Sequence, residues 1–255
     1  MDKLNRKPFQ GVGNIIRFNW HFYAIALGSI AVVASVIPYL PDQLASVAIL
    51  CVGTTCVSIS LSLAISYYIY DLSPLYALTW LDDLPVKPGQ HLVTINAGFD
   101  ETSALLLRRY PQARLQVFDF YDKNKHTEIS IERARKAYPV YPGTQSIDTK
   151  EIPLEADAVD YIFLILAAHE IRDAAERIAF FSQLQTALRA NGRLIVVEHL
   201  RDCYNGLVYN LGSFHFYSRA TWQQTFRSAG FGAVSETKIT PFISVFTLQK
   251  HGSTS

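Results

Sequence analysis

An α/β fold is predicted: a doubly wound, mostly parallel sheet of seven strands, preceded by an N-terminal two-helix transmembrane hairpin. Three observations carry it. Residues 22–40 and 44–70 contain no Asp, Glu, Lys or Arg. From residue 91 onward, short apolar runs alternate with helical patterns, as expected for a parallel sheet covered on both faces. The last two apolar runs lie close enough in sequence to pair as an antiparallel finish.

The chain has 255 residues, room for one α/β domain with an appendage. A net charge of +1 gives no bulk attraction for nucleic acid, and no nucleic-acid partner is expected. Mean hydropathy, +0.12, is high for a water-soluble protein. The excess sits in the two uncharged stretches, each long enough to cross a hydrocarbon core of about 30 Å, which needs roughly 20 helical residues. Between them "PYLPDQ" breaks the helix at Pro38 and Pro41 and supplies one charge, Asp42. A secretory signal would carry a single apolar core and a cleavage site, so a retained hairpin is expected.

Lys3, Arg6, Lys7 and Arg17 precede the first span, the turn carries no Lys or Arg, and Lys87 and Arg108 follow the second. This places both termini on the cytoplasmic side of the inner membrane. The expected segments are a cytoplasmic 1–21, the hairpin 22–70, an interfacial helix and linker 71–90 bearing Tyr70, Tyr76 and Trp80 at its edges, and a domain over 91–255. Small residues four apart, Ala24 with Gly28 and Ala31 with Ser35, suit close helix approach, either to the second span or to another copy in a homo-oligomer. Cys51, Cys56 and Cys203 form neither a disulfide framework nor a metal cluster and read as small, buried, reduced thiols.

In the domain, "HLVTIN" reads as the first strand and "ETSALLLRRY" as a helix ending before Pro111. "RLQVFDF" is the second strand, and the helix "ISIERARKAY" stops before Pro139. A strand near "TQSID" and the apolar "VDYIFLILAA" follow. The long helix "DAAERIAFFSQLQTALRA", closed by Asn191-Gly192, leads to the strand "RLIVVEH". Ser218 caps the helix "SRATWQQTFRSAGF", which ends near Gly230, and "GAVSETKI" and "FISVFTLQK" finish the sheet.

Ligands of such sheets bind beyond the carboxyl ends of the strands, where strand order reverses. The first strand-to-helix turn, "NAGFDETS", keeps one glycine, Gly98, where a dinucleotide site wants three. Asp100 and Glu101 would repel a pyrophosphate but favour a cationic ligand such as a sulfonium; they also suit the first turn of a helix. Asp119, 23 positions after Asn96, ends the second strand where an acid can accept from ribose hydroxyls, and Asp122 competes for that role.

Taken together, "VTINAGFDETS", "QVFDF", "SIDTKEIPLEADAVDYIFLILAAHE" and "LRANGRLIVVEH" make residues 91–250 resemble a class I, Rossmann-like S-adenosylmethionine-dependent methyltransferase. The resemblance implies S-adenosylmethionine as cofactor, with Asp148 beside the adenine, Asp119 at the ribose and Gly98 under the methionine. Asn96, Asp100, Glu101 and Ala167 line the same site. Asn96 stands where the family usually has an acid, and Asp100 and Thr102 where later glycines usually fall. With its hairpin the chain also resembles bacterial membrane-anchored methyltransferase-like proteins.

His169 and Glu170 lie just past the fourth strand, on the edge that in this family faces the acceptor. His169 is a candidate general base, or else a helix-capping or core-edge histidine. His199, beside Glu198, ends the fifth strand, and His215 and Tyr217 approach the same rim from "GSFHFYSRATW". Three histidines at one rim could form an acid/base cluster or a metal site, which makes His169, Glu170, His199, His215 and Tyr217 the candidate catalytic residues. The spacing is not a local metal motif, and no metal is assigned. Arg172 and Arg201 either attract an anionic head group or pair with Glu170 and Asp202. The expected activity is methyl transfer to a hydrophobic or lipid-like small molecule drawn from the membrane. The alternative is a catalytically degenerate fold serving as a membrane scaffold or partner-binding module.

Overall fold

The computed structural model describes residues 6–125 and 128–250, so Lys3 lies outside it. Residues 6–72 and 73–250 form two compact units.

The first unit is helical: α1 (Gln10–Phe18), α2 (Trp20–Val36) and α3 (Asp42–Tyr67). A 3-10 turn at Ile37–Tyr39 separates α2 from α3, as Pro38 and Pro41 predict. The stretches Trp20–Tyr39 and Asp42–Leu72 are long and apolar enough to cross a membrane. Ala24, Gly28, Ala31 and Ser35 are all exposed, and nothing lies within 4 Å of a Cβ placed on Gly28, so this stripe does not serve packing of α2 on α3.

The thiols are free, but Cys51, Cys56 and Cys203 are exposed, not buried. The first two sit on a helix whose apolar surface is itself uncovered within the chain, so burial there has no protein partner.

Helix α1 was not anticipated from sequence. It buries Gly11, Asn14 and Phe18, one helical face, and its first amides are capped from far along the chain. Gly11 and Val12 donate N–H to the two carboxylate oxygens of Asp71, each at 2.8 Å. A Cβ on Gly11 would overlap Tyr70, so the close approach requires glycine.

In the second unit, residues 73–90 do not form the expected interfacial helix; their one helical element is a 3-10 turn at Thr79–Leu81. Pro74, Pro85 and Pro88 remove backbone donors, and Leu78 adopts a left-handed φ of 56°. Leu75, Leu78 and Leu81 are buried instead, and half-buried Trp80 donates its ring N–H to the Leu75 carbonyl at 3.0 Å.

The sheet is formed by β1 (His91–Asn96), β2 (Arg114–Asp119), β3 (Gln145–Ser146), β4 (Val159–Ile165), β5 (Leu188–His199), β6 (Phe231–Thr240) and β7 (Ile243–Lys250). Their order is β3-β2-β1-β4-β5-β7-β6, with an isolated bridge between Asp148 and Glu151 beside it. The first five strands are parallel; β7 enters antiparallel to β5 and pairs with β6. Every residue of β4 is buried, which is why its sequence is apolar without alternation. The connecting helices are α4 (Ser103–Arg109), α5 (Ile129–Ala137), α6 (Ala174–Ala187), α7 (Cys203–Tyr209) and α8 (Arg219–Ser228). Phe180, Phe181, Trp222 and Phe226 from α6 and α8 pack as one aromatic cluster on the sheet.

Helix α6 stops at Ala187, short of the expected Asn191-Gly192 cap. Leu188 already pairs with Val159, and the register then jumps so that Arg193 faces Tyr161. Gly192 lies inside this irregular start of β5, where a Cβ would stand 2.9 Å from the Val159 carbonyl oxygen. Close backbone approach, not helix termination, explains that glycine. Elsewhere the end signals act as read: Ser218 Oγ accepts from the Thr221 amide at 3.1 Å, and Gly230 takes a φ of +88°.

Candidate functional site

Strand order reverses between β1 and β4, and the candidate residues collect at the carboxyl edge there and on the neighbouring strands. Parallel pairing places Asn96 directly beside Asp119 at the ends of β1 and β2. Both are buried. The chain then turns through Gly98 at a φ of +97°, a value that favours glycine.

Asp100 closes the turn by accepting from the Thr102 and Ser103 amides through Oδ1, both at 2.9 Å, which starts α4 at Ser103. Its Oδ2 is buried without a hydrogen-bond partner. Glu101 accepts from the Tyr76 hydroxyl at 2.7 Å and lines neither cavity described below, so its expected place beside a cofactor is not found. The carboxylate is drawn instead toward the segment preceding β1.

Asp119 is held from two sides. The Tyr121 amide donates to Oδ1 at 2.9 Å, and Arg135 of α5 donates to Oδ2. Arg135 also reaches the Gly98 carbonyl at 3.2 Å and lies over the Tyr121 ring, 4.4 Å from its centroid. Tyr121 and Ile131 fill the space beside Gly98: a Cβ there would stand 2.8 and 2.9 Å from them. The cavity left among Asn96, Gly98, Asp100 and Asp119 is about 10 Å³, the room of a single water. A larger one, about 280 Å³, is lined by Phe120, Tyr121, Asp148 and Thr149. Asp148 is exposed and accepts from the Lys150 amide at 2.8 Å, which holds its carboxyl below the usual range. Ala167 is buried behind the β4 exit, where Leu166 carries a left-handed φ of 54°.

At the exits of β4 and β5 lies a second group. The His169 amide donates to Glu198 Oε1 at 3.1 Å, and His169 Nδ1 meets Glu198 Oε2 at 2.6 Å. His169 Nε2 lies 3.2 Å from Glu170 Oε1, and His215 Nε2 lies 3.3 Å from the same oxygen. His215 Nδ1 is 3.0 Å from Glu128, which precedes α5. Arg172 donates to the His215 carbonyl at 2.7 Å and its guanidinium rests against that imidazole.

Burial alone would lower the His169 pKa, but Glu198 and Glu170 overcome it and push the value up to about 10. His169 is therefore a cation at neutral pH with both nitrogens engaged, which removes it as the free general base expected from sequence. Burial would raise Glu170, yet its two histidines hold it well below the usual carboxylate range. His215 is likewise raised, with Glu128 and Glu170 outweighing burial.

His199 behaves oppositely. Burial drives it down to about 4, so it is neutral; its Nδ1 faces Asn205 Oδ1 and the Phe242 carbonyl, each at 3.1 Å, and its ring stacks on Phe216. Tyr217 is not available for proton transfer either. Its hydroxyl donates to the Ile171 and Arg172 carbonyls at 3.3 and 3.1 Å, and its ring packs on Arg177. Tyr217 thus supports the loop after β4, and His199 ties the end of β5 to α7 and to the β6–β7 turn.

Of the five candidate catalytic residues, His169, Glu170 and His215 thus come together while His199 and Tyr217 are structural. Glu128, Tyr121 and Arg135 were missed. For Arg135 a signal existed: it lies four positions after Ile131, on the α5 face turned to Gly98. Glu128 meets His215 only through the tertiary fold, and no local pattern announces it.

No protein-family model matches the chain, and no curated protein matches it in sequence. Similar folds do occur among solved structures. A protein described as an O-methyltransferase, from Nostoc punctiforme, superposes with a TM-score of 0.54 at 17% identity, over 94% of this chain and 72% of that one. An O-methyltransferase family 2 protein from Planctomyces limnophilus, solved with apigenin, gives 0.50 at 18% identity, over 76% of this chain and 60% of that one. The CurJ carbon methyltransferase gives 0.48 at 16% identity, and the chain spans 58% of its length. At these identities the likeness is one of fold.

Proposed function

We propose that this chain is a membrane-anchored methyltransferase that moves a methyl group from S-adenosylmethionine to a hydrophobic or lipid-like acceptor. The observation that carries the reading is the juxtaposition of Asn96, Gly98 and Asp119 at the carboxyl edge of a sheet ordered β3-β2-β1-β4-β5-β7-β6. The donor set suits the cofactor's chemistry: Asp119 for ribose hydroxyls, Asp148 beside the larger cavity for the adenine, and the unpartnered Asp100 oxygen for a cationic methionine end. Space suits it on the Asp148 side; on the Gly98 side Tyr121 and Arg135 must move aside.

When bound, the cofactor supplies a methyl group already activated by the sulfonium. The chain's share is alignment more than covalent chemistry. Ala167 and the strained Leu166 shape the β4 edge, and the Glu170 carboxylate would orient a polar group of the acceptor beside it. Tyr204, Leu207 and Phe214, on and just after α7, are 58, 72 and 68% exposed and offer an apolar approach next to His215. These side chains and the two apolar helices support an acceptor drawn from a bilayer.

The competing reading is a degenerate fold kept as a scaffold, favoured by one observation: Arg135 occupies the Asp119 carboxylate. Calorimetric titration of S-adenosylmethionine into detergent-purified full-length protein separates the two. We expect micromolar binding, no binding of NADH, and at least about tenfold weakening in Asp119→Ala, since hydrogen bonds to a charged acceptor contribute about 1.5–3 kcal/mol. Folded protein that takes up no S-adenosylmethionine would put the scaffold first.

The proposed topology, both termini cytoplasmic in an inner membrane, follows from Arg6, Lys7 and Arg17 before α2 and a turn without Lys or Arg. In intact cells a membrane-impermeant maleimide should label Tyr39→Cys and leave the exposed Cys203 untouched. Labelling of Cys203 without Tyr39→Cys would invert the assignment.

A further inference from the structure

We propose that His169, Glu170 and His215 form a binding site for a divalent first-row transition-metal ion. The three offer ligand atoms within 4.8 Å of one another. Ligands about 2.1 Å from a common ion stand about 3.0 Å apart at a right angle and about 3.4 Å apart in a tetrahedron. The Glu170 Oε1 separations, 3.2 Å to His169 Nε2 and 3.3 Å to His215 Nε2, fall in that interval.

Hydrogen bonding between protonated histidines and Glu170 produces similar distances, so the spacing is not the deciding feature. The outer contacts are. Each histidine presents Nε2 to Glu170 and turns Nδ1 to a different carboxylate, Glu198 for His169 and Glu128 for His215. A carboxylate behind a histidine fixes its tautomer and orientation and raises its basicity as a ligand, the usual outer shell of a metal-bound imidazole. Glu198 is fully buried and also anchors the His169 amide, so this orientation is built in.

Charge permits the same occupant: Glu128, Glu170 and Glu198 surround the two imidazoles beside one guanidinium, Arg172, so a divalent ion entering in exchange for imidazole protons adds no excess positive charge. Two histidines and one carboxylate with open positions suit zinc, iron, cobalt or manganese rather than calcium or magnesium, which take oxygen ligands. Arg172, resting against the His215 ring, is the group an entering ion must displace.

This inference does not depend on the methyltransferase reading. The test uses chelator-stripped full-length protein in detergent, titrated with Co²⁺ followed by visible absorption and with Zn²⁺ by calorimetry. One equivalent per chain is expected, with Zn²⁺ displacing Co²⁺. Glu170→Gln, which keeps shape and loses charge, and His215→Ala should each weaken uptake at least tenfold. Arg172→Gln should bind more tightly than the parent. Zn²⁺ should raise the melting temperature of the parent protein and leave that of Glu170→Gln unchanged. Uptake indifferent to Glu170→Gln and His215→Ala, or absent from both the parent and Arg172→Gln, would overturn the site.

Discussion

Glu198→Ala should destabilise the sheet unit by about 3–5 kcal/mol, because it removes the closer of the two carboxylates paired with a buried imidazolium. Both Glu198 oxygens are engaged with His169, and the side chain is wholly out of solvent. Stability of single domains is about 5–15 kcal/mol, so the loss is a large share. With Glu198 gone, Glu170 alone opposes burial at His169, and the pKa falls from about 10 toward its ordinary value.

The pH dependence has a definite sign. A histidine whose folded pKa is raised contributes stability in full below its unfolded value, about 6.5, and loses it as pH rises toward about 10. Glu170, whose pKa is lowered, contributes above its unfolded value, about 4.3, and loses it as pH falls. The ion-pair network should therefore support the fold most between about pH 5 and 7 and weaken on either side. Unfolding of parent and Glu198→Ala across pH, with the His169 ring followed by NMR, checks this; a ring that still titrates near 10 in the variant would exclude Glu198 as the cause.

Gly98→Val should remove S-adenosylmethionine binding and cost about 2–4 kcal/mol of stability. Two effects add. The φ of +97° is strained for a β-branched residue, at about 1–3 kcal/mol, and the new Cβ collides with Tyr121 and Ile131. Gly143→Ala is the control: its φ is +83°, but nothing lies within 4 Å of the added Cβ. That variant should show backbone strain alone, about 1 kcal/mol, with cofactor binding intact. Equal losses in calorimetry and melting for the two variants would mean that the packing against Gly98 is unimportant.

The sequence is most informative where the signal is local and periodic. The strands of the sheet, the uncharged helices and the caps at Ser218 and Gly230 follow from apolar spacing and end residues. Misreadings arise where a distant segment decides the local outcome. Asn191-Gly192 looks like a helix stop, yet Val159 approaches so closely that the glycine belongs to a strand. Helix α1 lacks a local capping residue, Phe9 standing at its start, and the group that caps it, Asp71, lies on the far side of the hairpin. Site positions were legible in the same uneven way. Asn96, Gly98 and Asp119 follow from strand ends, whereas the charge state of His169 depends on Glu198 across the sheet, a partner that ring chemistry alone does not specify.

On the proposed function, the contact between Arg135 and Asp119 would make cofactor entry a competition rather than a simple filling. The carboxylate that would take the ribose hydroxyls is satisfied in the free chain, so a ligand would select the fraction of molecules in which the Arg135 side chain has let go. If release costs about 1.4 kcal/mol, about one chain in ten is receptive and the apparent affinity is tenfold weaker than the intrinsic one. Any influence that draws Arg135 away, including an acidic surface, would tune cofactor affinity without touching a single cofactor-binding residue.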